Sequence, residues 1–148
     1  MDIIFDIDGT LANTQHRMKY IKSAPKNWKL FFSTSIKDEV YQPVLDTLLA
    51  FKAQGHRIII MTGRPSNQCE ADTIAWLTEK GIYQHVDALY MRKPKDSRPD
   101  YVAKGELLDD AIADGYDPKF VFDDRPGVIA MFRERGLYVF NCDQVGTD

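Results

Sequence analysis

The chain has 148 residues, 44% of them hydrophobic, a formal charge of −3 and a pI near 5.6. That length suits one compact domain burying roughly 70% of its unfolded surface and leaves no room for a second. The acidic balance argues against broad, non-specific attraction to nucleic acid, and no apolar run approaches the roughly 20 residues of a membrane span.

Met1 leads directly into Ile3, Ile4 and Phe5 without a basic leader, so a soluble cytoplasmic protein is expected. These β-formers read as a strand covered on both faces, and Gly9 marks its turn. The stretch IIFDIDGTL therefore carries Asp6 and Asp8 to a strand's C-terminal edge, where open α/β sheets bind ligands. Continued alternation would aim both carboxylates the same way, with Ile7 opposite. Two like charges that close call for a proton or a cation. A solvated Asp-Gly turn is the bland alternative. An EF-hand is excluded, because Gly9 at its sixth position puts Ile4 first and Gln15 at the bidentate acid.

Leu11 to Ile21 reads as a short helix, broken by Ser23 to Pro25. Lys26 to Val40 spaces Trp28, Phe31 and Phe32 as a helix would, an aromatic insertion that either packs or walls a substrate pocket. Pro43 opens a helix buried through Val44, Leu45, Leu48, Leu49 and Phe51 to Ala53, and Gly55 closes it. Arg57 to Met61 is a second buried strand, ending in Thr62, Gly63 and Arg64. A helix from Pro65 and Ser66 packs through Ile74, Ala75 and Leu77 and stops at Gly81. Val86 to Met91 is a third strand. The connection Arg92 to Pro99 holds Arg92, Lys93, Lys95 and Arg98, which on charge alone read as a solvated loop. Asp100 to Ala113 is helical, with Val102, Ala103, Leu107, Leu108 and Ile112 inward and Lys104 beside that stripe. Lys119 to Phe122 is a fourth strand running into Asp123, Asp124 and Arg125. Pro126 to Arg135 is a helix, stopped by Gly136, and Leu137 to Phe140 a fifth strand. Cys69 and Cys142 form no CxxC, and neither pairs with His16, His56 or His85 at a metal-ligand spacing, so both read as buried or incidental thiols.

Strands alternating with helices call for a Rossmann-like α/β fold, a five-stranded parallel sheet wrapped on both faces. Parallel strands share one C-terminal edge, so Asp6, Asp8, Thr62, Arg64, Asp123 and Asp124 should converge there. Carboxylates without a histidine pair favour a hard cation, Mg²⁺ over zinc. Thr62, Arg64 and Lys104 add a hydroxyl and positive charge suited to a phosphate dianion. Neither GxxxxGK[ST] nor GxGxxG occurs, which leaves ATP-driven transfer and dinucleotide binding without local support. Phosphate transfer to an aspartate or to water fits what remains.

DIDGT, then Thr62 in MTGR, then Lys104, then FDDR at Phe122 to Arg125 resemble the four ordered motifs of the haloacid dehalogenase (HAD) superfamily. The resemblance implies Asp6 as nucleophile, Asp8 as general acid and base, Thr62 as phosphate ligand and Lys104 as charge stabiliser. Mg²⁺ would be held by Asp6, the Asp8 backbone carbonyl and the pair Asp123 and Asp124, with the direct ligand of that pair left open. RKPKDSRPDYVAKGELL and FDDRPGVIAMFRERGL are similar, further, to the 3′-phosphatase domains of phage polynucleotide kinase-phosphatases. That likeness spans nearly the whole chain and implies substrate-binding roles for Arg17, Gly63, Arg64, Arg92 and Arg98. It implies one domain over 1–148 with a small cap insertion at about 15–42, acting on the phosphorylated 3′ end of DNA or RNA or on a nucleotide. The kinase half is absent, so 5′-phosphorylation is not expected, and a separate kinase or ligase is a candidate partner. Ser23 to Tyr41 looks longer than in the phage domains, which leaves the site open to a nucleic-acid end or closed over a mononucleotide. The alternatives are a small-molecule phosphatase for 5′-nucleotides or sugar phosphates and a non-catalytic phosphate-binding module.

Overall fold

Alternation along the first strand divides its side chains between two cores. In the computed structural model, which describes residues 1–146, β1 (Asp2–Phe5) places Ile3 and Phe5 in one cluster and Ile4 in the other. Its neighbours repeat the pattern. In β4 (Arg57–Pro65), Ile58 and Ile60 face the first cluster while Ile59 and Met61 face the second. In β6 (Pro118–Asp123), Phe122 and Val121 divide in the same way. With β5 (Ala88–Arg92) outside β4 and β7 (Tyr138–Asn141) outside β6, the sheet runs β5-β4-β1-β6-β7, every pair parallel. Each fully buried Ile or Phe contributes roughly 1.5–3 kcal/mol, so a one-residue slip of β1 would forfeit both cores at once.

The helices cover the two faces as pairs. α2 (Gln42–Ala53) and α3 (Ser66–Glu79) supply Leu45, Leu48, Trp76 and Leu77 to the first core. α4 (Asp100–Ala113) and α5 (Pro126–Glu134) supply Leu107, Leu108, Ala111, Val128, Ile129 and Phe132 to the second. Ile112, expected inward, is half exposed, because the helical stripe turns through Ala111 instead.

The segment between β1 and α2 departs most from the sequence reading. Leu11 to Ile21 is no single α-helix: it forms β2 (Ala12–Asn13) and a 3-10 turn at Gln15–Tyr20. The insertion then forms a short helix, α1 (Trp28–Ser33), a 3-10 turn at Thr34–Lys37 and β3 (Glu39–Val40). β3 pairs antiparallel with β2 and so pins both ends of the insertion beside the C-terminal edge of the sheet. Asn27 caps α1 by accepting a hydrogen bond from the Leu30 amide at 3.0 Å. No helix among the described residues is long and apolar enough to cross a membrane.

Candidate active site

Strand register decides which side chains meet. Phe5 lies level with Ile60 of β4 and Phe122 of β6, and the Asp6 amide donates to the Phe122 carbonyl at 3.0 Å. Asp6 and Asp123 thus follow paired residues on adjacent strands. Both turn toward α4, where Lys104 Nζ donates to Asp6 Oδ1 at 2.8 Å and to Asp123 Oδ2 at 2.7 Å. Lys104 therefore sits inside the structure, 2% exposed, at the C-terminal edge of the sheet. Asp123 Oδ1 accepts from the Asp124 and Arg125 amides at 2.7 and 3.1 Å, so both its oxygens are engaged. Asp124 lies across the group, its Oδ1 3.5 Å from the hydroxyl of Thr10, which also donates to Asp6 Oδ2 at 3.3 Å.

Gly9 makes this approach possible. Its φ is +83°, and a Cβ there would stand 2.1 Å from Asp124 Oδ2.

Asp8 does not follow Asp6. β1 ends at Phe5, and the turn that follows swings the Asp8 carboxylate toward the α3 side, against the shared direction expected from strand alternation. There Arg64 reaches it through Nε at 3.1 Å and Nη2 at 2.6 Å, and Arg17 through Nη2 at 2.8 Å. Asp38 closes the network, accepting from Arg17 Nε at 2.9 Å and Nη2 at 2.8 Å. His16 Nε2 lies 2.6 Å from the same carboxylate, and the indole of Trp76 donates to the Asp38 carbonyl at 2.8 Å. Thr73 on α3 accepts from Arg64 Nη1 at 3.0 Å. Arg17, Arg64, Asp38 and Thr73 are all buried.

The two halves differ in charge balance. On the α3 side two guanidiniums meet two carboxylates. On the α4 side one ammonium serves three, and carboxylate oxygens of Asp6, Asp123 and Asp124 all lie within 4.8 Å of one another. Burial, reinforced by the charge of Asp123, pushes the Asp6 carboxyl well above the usual carboxylate range despite Lys104. Burial likewise raises Asp124 to about 6. Asp8 goes the other way: burial opposes its ionisation, but Arg64 and Arg17 outweigh it and hold the group at about 2. Buried carboxylates short of positive charge, with only oxygen donors, fit a hard divalent cation such as Mg²⁺.

The remaining expected residues lie around this centre. Thr62, one strand over, is buried and accepts the Arg64 amide at 3.2 Å. Arg92 donates to the Gly63 carbonyl at 2.9 Å and pairs with Asp100, whose other oxygen takes Arg125 at 2.8 Å. Arg98 stays on the surface, its guanidinium shared between Asp96 and Glu106. The thiols are unreactive near neutral pH, since burial pushes Cys69 up to about 11 and Cys142 to about 12. The sequence reading missed Thr10, Asp38, Thr73 and Asp100. Asp38 stands in the run Lys37, Asp38, Glu39, which reads as solvated, and no local pattern separates it from its neighbours.

Residues 1–146 match the family described as the polynucleotide kinase PNKP phosphatase domain. The chain belongs to that family. This HAD-type phosphatase is 33% identical over 142 residues to a protein described as a bifunctional polynucleotide kinase/RNA ligase, from Autographa californica nuclear polyhedrosis virus. The match covers 94% of the chain and 19% of the viral protein. A chain of the Pnkp1/Rnl/Hen1 complex superposes with a TM-score of 0.80 and 31% identity, over 96% of this phosphatase and 45% of that chain. A haloacid dehalogenase-like hydrolase from Streptococcus pneumoniae shares the fold, with a TM-score of 0.66 and 14% identity over 95% of this phosphatase and 83% of that chain. The phosphatase thus spans about a fifth of the viral relative and under half of the Pnkp1/Rnl/Hen1 chain.

Proposed function

We propose that this phosphatase is a Mg²⁺-dependent phosphomonoesterase that releases phosphate from nucleic-acid 3′ ends through an aspartyl-phosphate on Asp6. The observation that carries the reading is the separation of the two DIDGT carboxylates. Asp6 lies in the charge-deficient cluster with Lys104, while Asp8 is held apart by two arginines.

Each group then has a task its surroundings suit. Asp6 attacks phosphorus as the bond to the 3′ oxygen breaks, and Asp8 delivers a proton to that leaving oxygen. Asp8 is ionised in the free protein, and an arriving phosphate dianion raises its proton affinity, so the proton enters with the substrate. A water then attacks the aspartyl-phosphate, giving its proton to Asp8 and releasing inorganic phosphate, which restores Asp6. Lys104 offsets charge on Asp6, and Thr62 donates its hydroxyl to the transferring phosphoryl group. The cation would be held by Asp6, the Asp8 carbonyl and the pair Asp123 and Asp124, whose carboxylate oxygens gather with those of Asp6. It would supply charge neutralisation for the transferring phosphoryl group.

Arg17 and Arg64 hold Asp8 in place and, with Gly63, Arg92 and Arg98, form the substrate-binding set. The insertion at about 15–42 serves as a small cap. The name of the viral relative and of the Pnkp1/Rnl/Hen1 complex supports a place in nucleic-acid end repair, with a kinase and a ligase acting on the same ends. The test compares kcat/KM on a 3′-phosphorylated oligonucleotide, 3′-mononucleotides and 5′-mononucleotides, with Mg²⁺ and with chelator. Preference for the 3′-phosphate, lost on chelation, is expected. Preference for 5′-mononucleotides would favour a small-molecule phosphatase instead.

A further inference from the structure

Charge is distributed unevenly along this acidic chain. Between Thr14 and Lys37 there is no Asp or Glu, while Arg17, Lys19, Lys22, Lys26, Lys29 and Lys37 all carry positive charge. Arg17 is buried in the Asp8 network, but Lys19, Lys22, Lys26, Lys29 and Lys37 are exposed. Among the described residues none of these five lysines has an acidic partner, whereas of the other six all but Lys95 have one: Lys52, Lys80, Lys93, Lys104 and Lys119. Mutual repulsion among unpaired lysines disfavours such a surface unless a polyanion covers it.

Aromatic rings are set among these cations. Trp28 is 47% exposed although it opens α1. It is braced from behind, lying 5.9 Å from Phe32 in a stacked arrangement and 5.7 Å edge-on from Phe31. Lys26 Nζ stands 5.7 Å from the Trp28 ring, and Lys19 Nζ 5.3 Å from that of Tyr20. Phe31 ties this platform to the chemistry. The Arg17 guanidinium lies 4.4 Å over its ring and donates to its carbonyl at 3.1 Å, while the same side chain bonds Asp8 at 2.8 Å. An exposed indole amid unpaired lysines, linked to the active-site carboxylate through Phe31 and Arg17, suits a flexible polyanion that offers flat rings.

We propose that the exposed face of residues 19–32 binds the single-stranded nucleic acid leading to the reacting 3′ end. A base stacks on Trp28, and backbone phosphates lie against Lys22, Lys26 and Lys29. This rests on the 3′-phosphomonoesterase reading above and extends it: the strand, and not the terminal nucleotide alone, is recognised.

The experiment uses the full chain carrying Asp6→Asn, which stops turnover, with Mg²⁺ and labelled 3′-phosphorylated decamers of single-stranded DNA and RNA. The chain has two tryptophans, and Trp76 is 1% exposed, so quenching of emission by either decamer reports on Trp28. Quenching is expected on saturation, and the arm bound tighter identifies the preferred backbone. Adding Trp28→Ala should weaken binding about tenfold, and Trp28→Phe should restore most of it. Replacing Lys22, Lys26 and Lys29 together by Glu should lower the slope of log affinity against log salt by about two. Decamers that bind without quenching, or equally well to all these variants, would overturn the proposal, as would failure of both decamers to bind. Release of phosphate by the unmutated chain from the 3′-phosphorylated oligonucleotide would in those cases leave the proposed activity standing.

Discussion

Replacing Lys104 with Met removes the ammonium that lies 2.8 Å from Asp6 Oδ1 and 2.7 Å from Asp123 Oδ2. The side chain is 2% exposed, and Met has similar volume, so the perturbation is electrostatic more than steric. Removing one partner of a buried ion pair costs about 3–5 kcal/mol. For a domain of this size that lowers Tm by about 6–20 °C, at about 2–4 °C per kcal/mol. The loss depends on pH with a definite sign. Asp6 already has a folded-state pKa above its unfolded value, through burial and the charge of Asp123, and losing Lys104 raises it further. The native state then binds more protons than the unfolded state above about pH 4, so stability falls as pH rises. The deficit should be larger at pH 8 in chelator than at pH 5, because the upward shift of Asp6 makes proton binding favour the native state as pH falls. Mg²⁺ at 100 times its Kd should return about 2.7 kcal/mol by binding the same carboxylates. Thermal or urea unfolding at both pH values, with chelator and with Mg²⁺, provides the measurement. A variant as stable as the parent at pH 8 in chelator, or a deficit equal at both pH values, would refute the reasoning.

Asp6→Asn should raise metal-free stability at pH 8 by removing one of three crowded carboxylates, and should abolish phosphate release; undiminished turnover would contradict the nucleophile assignment. Asp8 is held at about 2, so its contribution is complete above about pH 4 and lost as pH falls through 2. The stability gap between Asp8→Asn and the parent should therefore close across that interval in acid unfolding curves, and a constant gap would disprove it. Asp38→Asn leaves buried Arg17 with Asp8 as its one charged partner, which should cost about 2–3 kcal/mol and lower kcat more than it raises KM. Gly9→Ala forces a side chain into a positive φ and against Asp124, costing about 1–2 kcal/mol. The Mg²⁺-induced rise in Tm should also shrink, measured by thermal unfolding at increasing metal concentration.

Much of the fold could be read along the chain because its signals are local. Apolar runs such as IIF and IIIM, spaced by helices with proline starts and glycine stops, specify parallel strands whatever lies between them. The same logic placed Asp6, Thr62 and the pair Asp123 and Asp124 on one edge, since parallel strands end together. Where local pattern and packing disagree, packing prevailed. Leu11 to Ile21 carries a helix-like pattern, yet Ala12 and Asn13 pair with β3. Ile112 is apolar but faces solvent.

Residue types and their order therefore determined the class of chain, the sheet and the cluster of carboxylates at its C-terminal edge. Tertiary structure alone decided how those carboxylates are divided. Register puts Asp6 beside Asp123 and under Lys104, from a helix nearly a hundred residues away. The end of β1 at Phe5 turns Asp8 to the opposite side, where Arg17, Arg64 and Asp38 enclose it. A carboxylate's proton affinity is set by burial and by charges within a few ångströms. Two aspartates separated by one residue consequently diverge, Asp6 far upward and Asp8 to about 2, in a way no local pattern encodes.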